Sequence, residues 1–167
     1  TQFDVGAQGV LINNRLSAAR TIINEVTGTE ASQINGDIRI QGTRAHLIIA
    51  NPNGINIGGT TFYNTGAVGL TTGSIDYITR PTPLGGTQDF PVITTSKGTI
   101  TVGEGGIAGV MNRLDLISKN ISVQGQINNE HESPFSSVHL LAGGTTTEFN
   151  PNLSIADPGG QWYETEP

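Results

Sequence analysis

The sequence RAHLIIANPNGINIGG, residues 44–59, decides the fold, because an apolar run stops at a Pro/Asn/Gly cluster and resumes immediately after it. Pro52 has a fixed φ and no N–H for a strand ladder, while Asn and Gly tolerate the left-handed backbone of a tight corner. An Asn side chain can also bond backbone groups that such a corner leaves unpaired. The stretch therefore predicts two short strands that meet at a corner, and residue chemistry alone favours a plain turn over a recognition signal.

The composition favours strands and turns and excludes several classes of partner. Charged residues make up 13% of the 167 residues, against about 25% in ordinary domains. The net charge is −6 and Lys97 and Lys119 are the only lysines, so the chain lacks the basic surface that nucleic acid requires. No apolar run approaches the ~18 residues of a membrane span. We predict one domain over residues 1–167, with no nucleic-acid partner and no membrane insertion.

The residues that carry catalysis or bind metals are scattered. There is no cysteine, so neither a disulfide framework nor a thiolate metal site can form. His46 and His139 alternate with apolar strand residues and are expected on the outer face of strands, while His131 lies in a polar loop. The repeated Gly/Asp nonapeptide of calcium-binding β-rolls is absent. We predict no catalytic residue, no metal and no cofactor, and therefore no enzyme.

Short apolar pairs separated by Gly, Asn and Thr run along the whole chain, which is typical of short strands. An N-terminal cap is predicted over about residues 1–17. Residues 18–28, AARTIINEVTG, fit a helix face as well as a strand. Residues 80–91, RPTPLGGTQDFP, predict a loop outside the regular structure, and residues 157–167, DPGGQWYETEP, a frayed tail or a linker to further repeats.

An internal repeat of about 21 residues is the strongest long-range signal. GTITVGEGGI begins at Gly98 and KNISVQGQI at Lys119, each with apolar residues in the same places. GDIRIQG, residues 36–42, is interpreted as a third copy of the same strand, about three periods earlier. A second strand follows each copy, at Leu47 and Ile49, at Leu114 and Leu116, and at Val138 and Leu140.

A 21-residue unit of two or three short strands has the length of one coil of a parallel β-helix, in which each coil stacks on the next. Leucine-rich repeats have similar periods, but their Leu-x-x-Leu-x-Leu pattern is absent. The period therefore predicts an all-β solenoid. Such a coil cannot bury its apolar face alone, so its ends need covers.

The ordered text over about residues 2–128 resembles the two-partner secretion domain at the N-terminus of filamentous haemagglutinin-like exoproteins of Gram-negative bacteria. The matching segments are QFDVGAQGVLINN, ARTIINEVTGTEASQINGDIRIQGTRAHLIIANPNGI, LTTG, GTITVGEGGI and LDLISKNISVQGQI. A second family motif, NPNL, normally lies in an insertion after the first strand. Here Arg15-Leu16-Ser17 bridges that point, and the NPNL of residues 150–153 is interpreted as a turn of the same chemistry.

The resemblance implies a right-handed parallel β-helix with an N-terminal cap and extra-helical elements. It implies a secreted or cell-surface location, reached through the periplasm and outer membrane. The expected partner is an outer-membrane β-barrel transporter with periplasmic POTRA domains, and the expected further target is a host or bacterial cell surface, reached through downstream repeats. The implied function is that of an N-terminal secretion module of a large adhesin, cytolysin or toxin-delivery protein, which also nucleates β-helix folding outside the cell.

The residues assigned to partner recognition or fold nucleation are those of the corner, with two weaker candidates in the INEV segment. They are Asn51, Pro52, Asn53, Gly54 and Ile55, and then Asn24 and Glu25. The alternative function is a self-contained β-helix that binds or cleaves carbohydrate.

Overall fold

The structure is a computed structural model that describes residues 1–130 and 136–152, and the backbone of residues 163–166. All regular structure in these ranges is β-strand. In chain order the strands are β1 (Val10–Asn14), β2 (Thr21–Glu25), β3 (Ser32–Ile34), β4 (Ile38–Gly42), β5 (Ala45–Ala50), β6 (Ile55–Ile57), β7 (Thr60–Tyr63), β8 (Thr65–Thr71), β9 (Ser74–Pro81), β10 (Thr87–Thr95), β11 (Thr99–Val102), β12 (Ile107–Gly109), β13 (Arg113–Ser118), β14 (Asn120–Val123), β15 (Ile127–Asn129), β16 (Ser137–Ala142), β17 (Thr145–Phe149) and β18 (Tyr163–Glu166). The described ranges contain no helix with the length and apolar character to cross a bilayer.

Three parallel sheets form the walls of a solenoid. Sheet A has the order β14-β11-β6-β3, sheet B the order β1-β4-β7-β12-β15, and sheet C the order β16-β13-β8-β5-β2. The second to fifth coils each supply one strand to each sheet, as β6, β7 and β8 do, whereas the first supplies β1 and β2; the solenoid has about five turns. The predicted fold class, an all-β right-handed parallel β-helix, is confirmed.

Equivalent apolar residues of successive coils lie above one another in the core. In sheet C the register aligns Leu47 with Val68 and Val68 with Leu114, and all three side chains are fully buried. In sheet A, Ile100 aligns with Ile121, which confirms the 21-residue period at that point. Period-two alternation explains this packing, because only every second side chain of a strand points inward.

The interpretation of GDIRIQG as a third copy of the sheet A strand is wrong. Ile38 lies in β4 of sheet B and aligns with Phe62, whereas Ile100 lies in β11 of sheet A and aligns with Ile55. The sheet A strand of that coil is β3, with Ile34 buried in the core. Sheets A and B both use the alternation of Ile or Val with a polar residue, so the pattern identifies an inward face without identifying the wall.

Residues 18–28, where helix and strand were left open, contain strand β2. It pairs in parallel with β5, and the register aligns Ile22 with Leu47. Tertiary pairing therefore selects the extended form over the helical pattern of the same residues.

A fourth sheet, sheet D, is antiparallel, with the order β18-β17-β10-β9, and covers the outer face of sheet C. It forms a second core around Phe149, in which Ile75 and Ile93 of the hairpin pack against Ile48 and Ile117 of sheet C. The central strands of sheet C are therefore buried on both faces, which explains why all six residues of β5 are buried.

The segment 80–91, predicted as a loop, contains the end of β9 and the start of β10, joined by a turn over residues 82–86. It lies outside the three-walled solenoid, but as an antiparallel hairpin in register from Ser74 to Pro81. The sequence of this segment does not indicate a hairpin. Its strand residues are mostly exposed on both faces and therefore do not alternate between polar and apolar.

The N-terminal residues belong to the solenoid, whereas β18, near the other end of the chain, belongs to sheet D. Within residues 1–17, Val5 is buried and bridges to Ile34 in parallel, and β1 is already the first strand of sheet B. Of the predicted tail, β18 pairs with β17 in antiparallel orientation. Residues 157–162 and 167 lie outside the described residues.

Candidate functional site

The corner of residues 51–54 connects β5 of sheet C to β6 of sheet A. The N–H of Gly54 donates to the carbonyl of Asn51 at 3.1 Å, which closes a tight turn. Gly54 has φ +122°, a conformation that strains any residue with a Cβ. Its added Cβ would also lie 3.2 Å from the Thr99 carbonyl oxygen of a neighbouring coil. The backbone conformation therefore favours glycine, and an alanine would also need the Thr99 carbonyl to shift by a few tenths of an ångström.

The side chain of Asn51 is fully buried, and its hydrogen-bonding capacity is used within the fold. Its Nδ2 donates to the Glu30 carbonyl at 2.9 Å and to Ser32 Oγ at 3.0 Å. Its Oδ1 accepts from the Asn53 N–H and from Asn53 Nδ2, each at 3.0 Å. One amide thus fixes both the shape of the corner and its attachment to the preceding coil.

Asn53, on the other side of Pro52, also bonds to the preceding coil. Its Nδ2 donates to the carbonyl of Gly28 at 2.8 Å, so the side chains of both asparagines bond to the segment of residues 28–32. The Ser32 N–H then donates to the Gly54 carbonyl at 3.1 Å. The corner can reach this arrangement only when the preceding coil is already in place.

The segment LTTG, residues 70–73, lies directly below the corner in the next coil. The Asn51 N–H donates to the Thr71 carbonyl at 2.9 Å. Thr72 Oγ1 donates to the Lys97 carbonyl at 2.7 Å and lies 2.8 Å from Ser118 Oγ. These bonds hold the solenoid together at the point where the chain leaves for the hairpin and returns from it.

The two weaker candidates lie at the same corner. In the register of β2 and β5, Asn24 aligns with Ile49 and Glu25 with Ala50, which immediately precedes Asn51. Glu25 is exposed, and its Oε1 accepts from the Ile75 N–H at 3.4 Å. The structure therefore places Asn24 and Glu25, at the end of β2, beside the end of β5 and the corner that follows it, although the sequence separates the two groups by more than 25 residues.

The folded corner exposes little of the motif. Asn51, Gly54 and Ile55 are buried, and Pro52 and Asn53 are half-buried. A partner that contacts the folded domain reaches only Pro52 and Asn53, whereas the extended chain presents all five residues.

Other asparagines perform similar roles at corners that the sequence did not single out. Asn14 is 2% exposed, and its Nδ2 donates to the carbonyls of Ala19 and Thr43 while its Oδ1 accepts from the Ala19 N–H. Asn64, at φ +59°, donates from Nδ2 to the carbonyls of Ile40 and Gly42. The signal available in the sequence was an Asn at the end of β1 and directly after β5 and β7.

The second NPN sequence, at residues 150–152, forms the same local turn. The Asn152 N–H donates to Asn150 Oδ1 at 3.0 Å, as the Asn53 N–H does to Asn51 Oδ1. The Asn152 side chain then bonds that of Gln88 in the hairpin and not a preceding coil. Leu153 of this motif lies outside the described residues.

His46 and Asp115 are buried and make hydrogen bonds within the fold. His46 lies on the outer face of sheet C, as expected, but is buried there beneath Phe149, and its Nδ1 accepts from the Ala67 N–H at 2.8 Å. Asp115 is 1% exposed and accepts from Arg113 Nε. His131 lies outside the described residues, and within them no three His, Asp or Glu side chains are grouped as metal ligands.

Arg44, the first residue of the stretch 44–59, bonds to residues of two later coils. Its Nε donates to the Thr65 carbonyl at 2.8 Å and its Nη2 to Asn112 Oδ1 at 2.7 Å. Burial lowers the pKa of Arg44 from its ordinary value. The guanidinium remains a charged donor at any physiological pH.

Comparison with known proteins gives a consistent result over nearly the whole chain. The family model described as "TPS secretion domain" matches residues 1–161. The crystal structure of the filamentous hemagglutinin secretion domain is similar to the fold, with a TM-score of 0.72 and 28% identity, over 88% of this chain and 53% of that chain.

Among whole proteins, the chain is 31% identical over 161 residues to filamentous hemagglutinin of Bordetella pertussis, covering 85% of this chain and 4% of that protein. It is 33% identical to the protein adenylyltransferase and cysteine protease IbpA of Histophilus somni, over 79% of this chain and 3% of that protein. It is 35% identical to the tRNA nuclease CdiA of Yersinia mollaretii, over 75% of this chain and 5% of that protein. The similarity thus covers most of this chain and a small part of each relative.

Proposed function

The chain belongs to the family of TPS secretion domains, and from that premise we propose how its corner motif takes part in two-partner export. As a member of this family it is a secretion module of large exoproteins that reach the cell surface or the medium of Gram-negative bacteria. A cognate outer-membrane transporter is the partner that this mode of export requires.

We propose that the transporter captures the chain in the periplasm through POTRA domains while the chain is still extended. Short strands of alternating polarity can add to an exposed sheet edge, where main-chain hydrogen bonds supply affinity and alternate side chains supply specificity. The chain is made mainly of short strands, several of which alternate in this way. Downstream repeats of the full exoprotein then contact a host or bacterial surface.

The motif Asn51, Pro52, Asn53, Gly54 and Ile55 is proposed to act twice. In the extended chain, both Asn side chains are open to a partner. In the folded domain, Asn51 is fully buried and its amide is bonded to Glu30, Ser32 and Asn53. Folding outside the cell therefore removes the recognised groups from the transporter and favours release. Asn24 and Glu25, which align beside this corner, are proposed to assist the folding step.

The main support for this proposal is that Asn51 is fully buried once the domain has folded. The proposal is tested by substituting this residue. Asn51→Ala is introduced into the exoprotein, and export is measured with the cognate transporter present. Asn14→Ala is the matched control, because Asn14 is equally buried and makes three side-chain bonds at a different corner. Both purified domains are melted to measure the stability that each substitution removes.

We expect export to fall much further in Asn51→Ala than in Asn14→Ala at equal loss of stability. Equal export of the two variants would assign Asn51 to the folded corner alone and refute its recognition by the transporter. Export that continues without the transporter would refute the two-partner route for this chain.

The domain itself is proposed to be non-enzymatic, and a carbohydrate site is the less supported alternative. The aromatic ring best placed for stacking on a sugar is Tyr63, on the outer face of sheet B between two shallow clefts of about 470 and 490 Å³. Arg39 already lies over that ring, at 4.1 Å from its centroid. One ring face is thus occupied within the chain.

A further inference from the structure

The outer core between sheets C and D is completed by a residue that follows all the strands of the solenoid. Residues of sheet C and of the hairpin of β9 and β10 line this core, namely Ile48, Ala50, Ala67, Ile75, Ile93 and Ile117. Phe149 is its largest side chain and has no exposed surface. Phe149 lies on β17, which follows β16, the last strand of sheet C. The outer core therefore stays incomplete until residues 145–149 dock on it.

Residues 145–152, here called the strap, pair with the hairpin and not with the solenoid. β17 forms an antiparallel ladder of four residue pairs with β10, and among the described residues it pairs with no strand of sheets A, B or C. Toward the solenoid, the Phe149 ring meets the His46 ring edge to face, with centroids 6.4 Å apart. Arg20 Nη1 donates to the Asn152 carbonyl at 3.4 Å. Detachment of the strap therefore breaks no backbone ladder of the solenoid, and β18, which joins sheet D through β17, moves with it.

The junction of β10 and β17 holds three buried hydroxyl groups that have no hydrogen-bond partner in the part of the chain that the structure describes. They are Oγ1 of Thr95, Thr145 and Thr147. In the register of the two strands, Thr95 faces Thr145, while Thr147 faces Ile93 of the outer core. A buried hydroxyl without a partner has lost its hydration and gained no bond in return. These three groups weaken the attachment of the strap, although Phe149 and Thr147 are fully buried.

Two glycines connect the strap to the fifth coil. The Gly143 N–H donates to the carbonyls of Ser118 and Lys119, at 3.0 and 3.1 Å, so the chain is fixed to the solenoid up to that point. Gly143 and Gly144 can change their backbone dihedrals at little steric cost. The strap can therefore swing away from this joint while β16 remains paired with β13.

We propose that the strap closes the outer core in a separate, last step of folding, and that it opens while the three-walled solenoid remains folded. When closed, it also clamps the hairpin. Glu148 accepts two bonds from Arg80, each at 2.7 Å, and the side chains of Asn152 and Gln88 bond each other. Opening exposes the outer face of sheet C and loosens the hairpin. This behaviour belongs to the domain itself and does not depend on what a transporter recognises.

Native-state hydrogen exchange of the purified domain over a series of denaturant concentrations measures the two steps. The amides of β17 should exchange through an opening that leaves those of β5, β8 and β13 protected. The two groups of amides should reach a common rate only near the global unfolding transition. If β17 exchanges together with β5, β8 and β13 at every denaturant concentration, the strap and the solenoid unfold as one unit and the proposal is overturned.

Thr147→Val tests whether an unpaired hydroxyl weakens the strap. The substitution removes the buried hydroxyl and keeps the shape of the side chain, so it should slow the exchange of β17 roughly tenfold. Thr146→Val is the matched control, because Thr146 is exposed on the same strand, and it should leave that rate nearly unchanged. An unchanged rate in Thr147→Val, or slowing that is equal in β17 and β5, would contradict the proposal.

A disulfide between the strap and β10 tests whether the opening is detachment of the strap, and the chain has no native cysteine to interfere. Thr94 and Thr146 face each other across β10 and β17, and both are exposed. Facing residues of an antiparallel pair lie close enough to be bridged. Oxidised Thr94→Cys/Thr146→Cys should lose the separate exchange of β17, and reduction should restore it.

Thr79→Cys/Asp89→Cys is the control for this lock. Thr79 and Asp89 also face each other and are exposed, but they link β9 to β10 and leave the strap free. The separate exchange of β17 should persist when this pair is oxidised. Its persistence in oxidised Thr94→Cys/Thr146→Cys, or its loss in the oxidised hairpin pair, would show that the opening is not detachment of the strap and would overturn the proposal.

Discussion

Replacing Asn51 by alanine is expected to cost the folded domain about 3 kcal/mol of unfolding free energy. The side chain makes four hydrogen bonds and is fully buried. Each such bond contributes about 1 kcal/mol net, so the upper figure is about 4 kcal/mol. Asn53 is half-buried and regains some hydration when its partner is removed, which lowers the total.

The assay is thermal and chemical denaturation of the isolated domain. For a chain of this size, 1 kcal/mol shifts Tm by about 2–4 °C, so Asn51→Ala should lower Tm by roughly 6–12 °C. Asn51→Asp retains the shape but points an oxygen at the Glu30 carbonyl, and it should be at least as destabilising at neutral pH. The bonds within the corner predict that Asn51→Ala and Asn53→Ala are non-additive, with a coupling of about 1–2 kcal/mol.

A loss below about 1 kcal/mol for Asn51→Ala, which is the worth of a single bond, would contradict this reasoning. Additive effects of Asn51→Ala and Asn53→Ala would contradict it as well, because the two side chains are directly bonded. Either result would mean that backbone pairing of β5 and β6 holds the corner without its amides.

Two further substitutions test the corner backbone and the outer core. Gly54→Ala should cost about 1–3 kcal/mol by denaturant titration, because φ +122° is strained for alanine, whereas Gly143→Ala, at the same φ but with open space around it, isolates the backbone contribution from the contact with Thr99. Phe149→Ala should cost about 3–5 kcal/mol and increase amide exchange in β9 and β10, since Phe149 is fully buried between sheets C and D; unchanged exchange in the hairpin would show that sheet D holds without it.

Much of the solenoid was predictable because stacked coils repeat the same chemistry. The 21-residue spacing of Ile100 and Ile121 is a direct reading of parallel register. The spacing failed for Ile38, because β4 and β11 carry the same alternation on different walls and the hairpin of residues 74–95 lengthens the intervening coil. A repeat identifies the inward-facing positions. An insertion such as this hairpin changes the spacing between coils, so residues a whole number of periods apart no longer lie on the same wall.

Sheet D was less predictable, although one sequence signal was available. The run AHLIIA of β5 is apolar at nearly every position, which exceeds what one inward face needs. A strand that is apolar on both faces must be covered on both. The run therefore required an outer layer. Which strands form that layer depended on pairing between β10 and β17, whose partners are at least 50 residues apart, and no local pattern contains such a pairing.

The bonding of the corner gives a physical reason for ordered folding from the N-terminus. Asn51 and Asn53 each donate backward, to groups of residues 28–32, and Asn64 donates backward to Ile40 and Gly42. At these two corners the later coil supplies side-chain donors to carbonyls of the preceding coil. A chain that emerges from a transporter with its N-terminus first meets these acceptors in the right order, and each coil closed outside makes backward movement costly. The motif of residues 51–55 would then have two roles. It is proposed to start export while the chain is extended, and its burial on folding makes export directional.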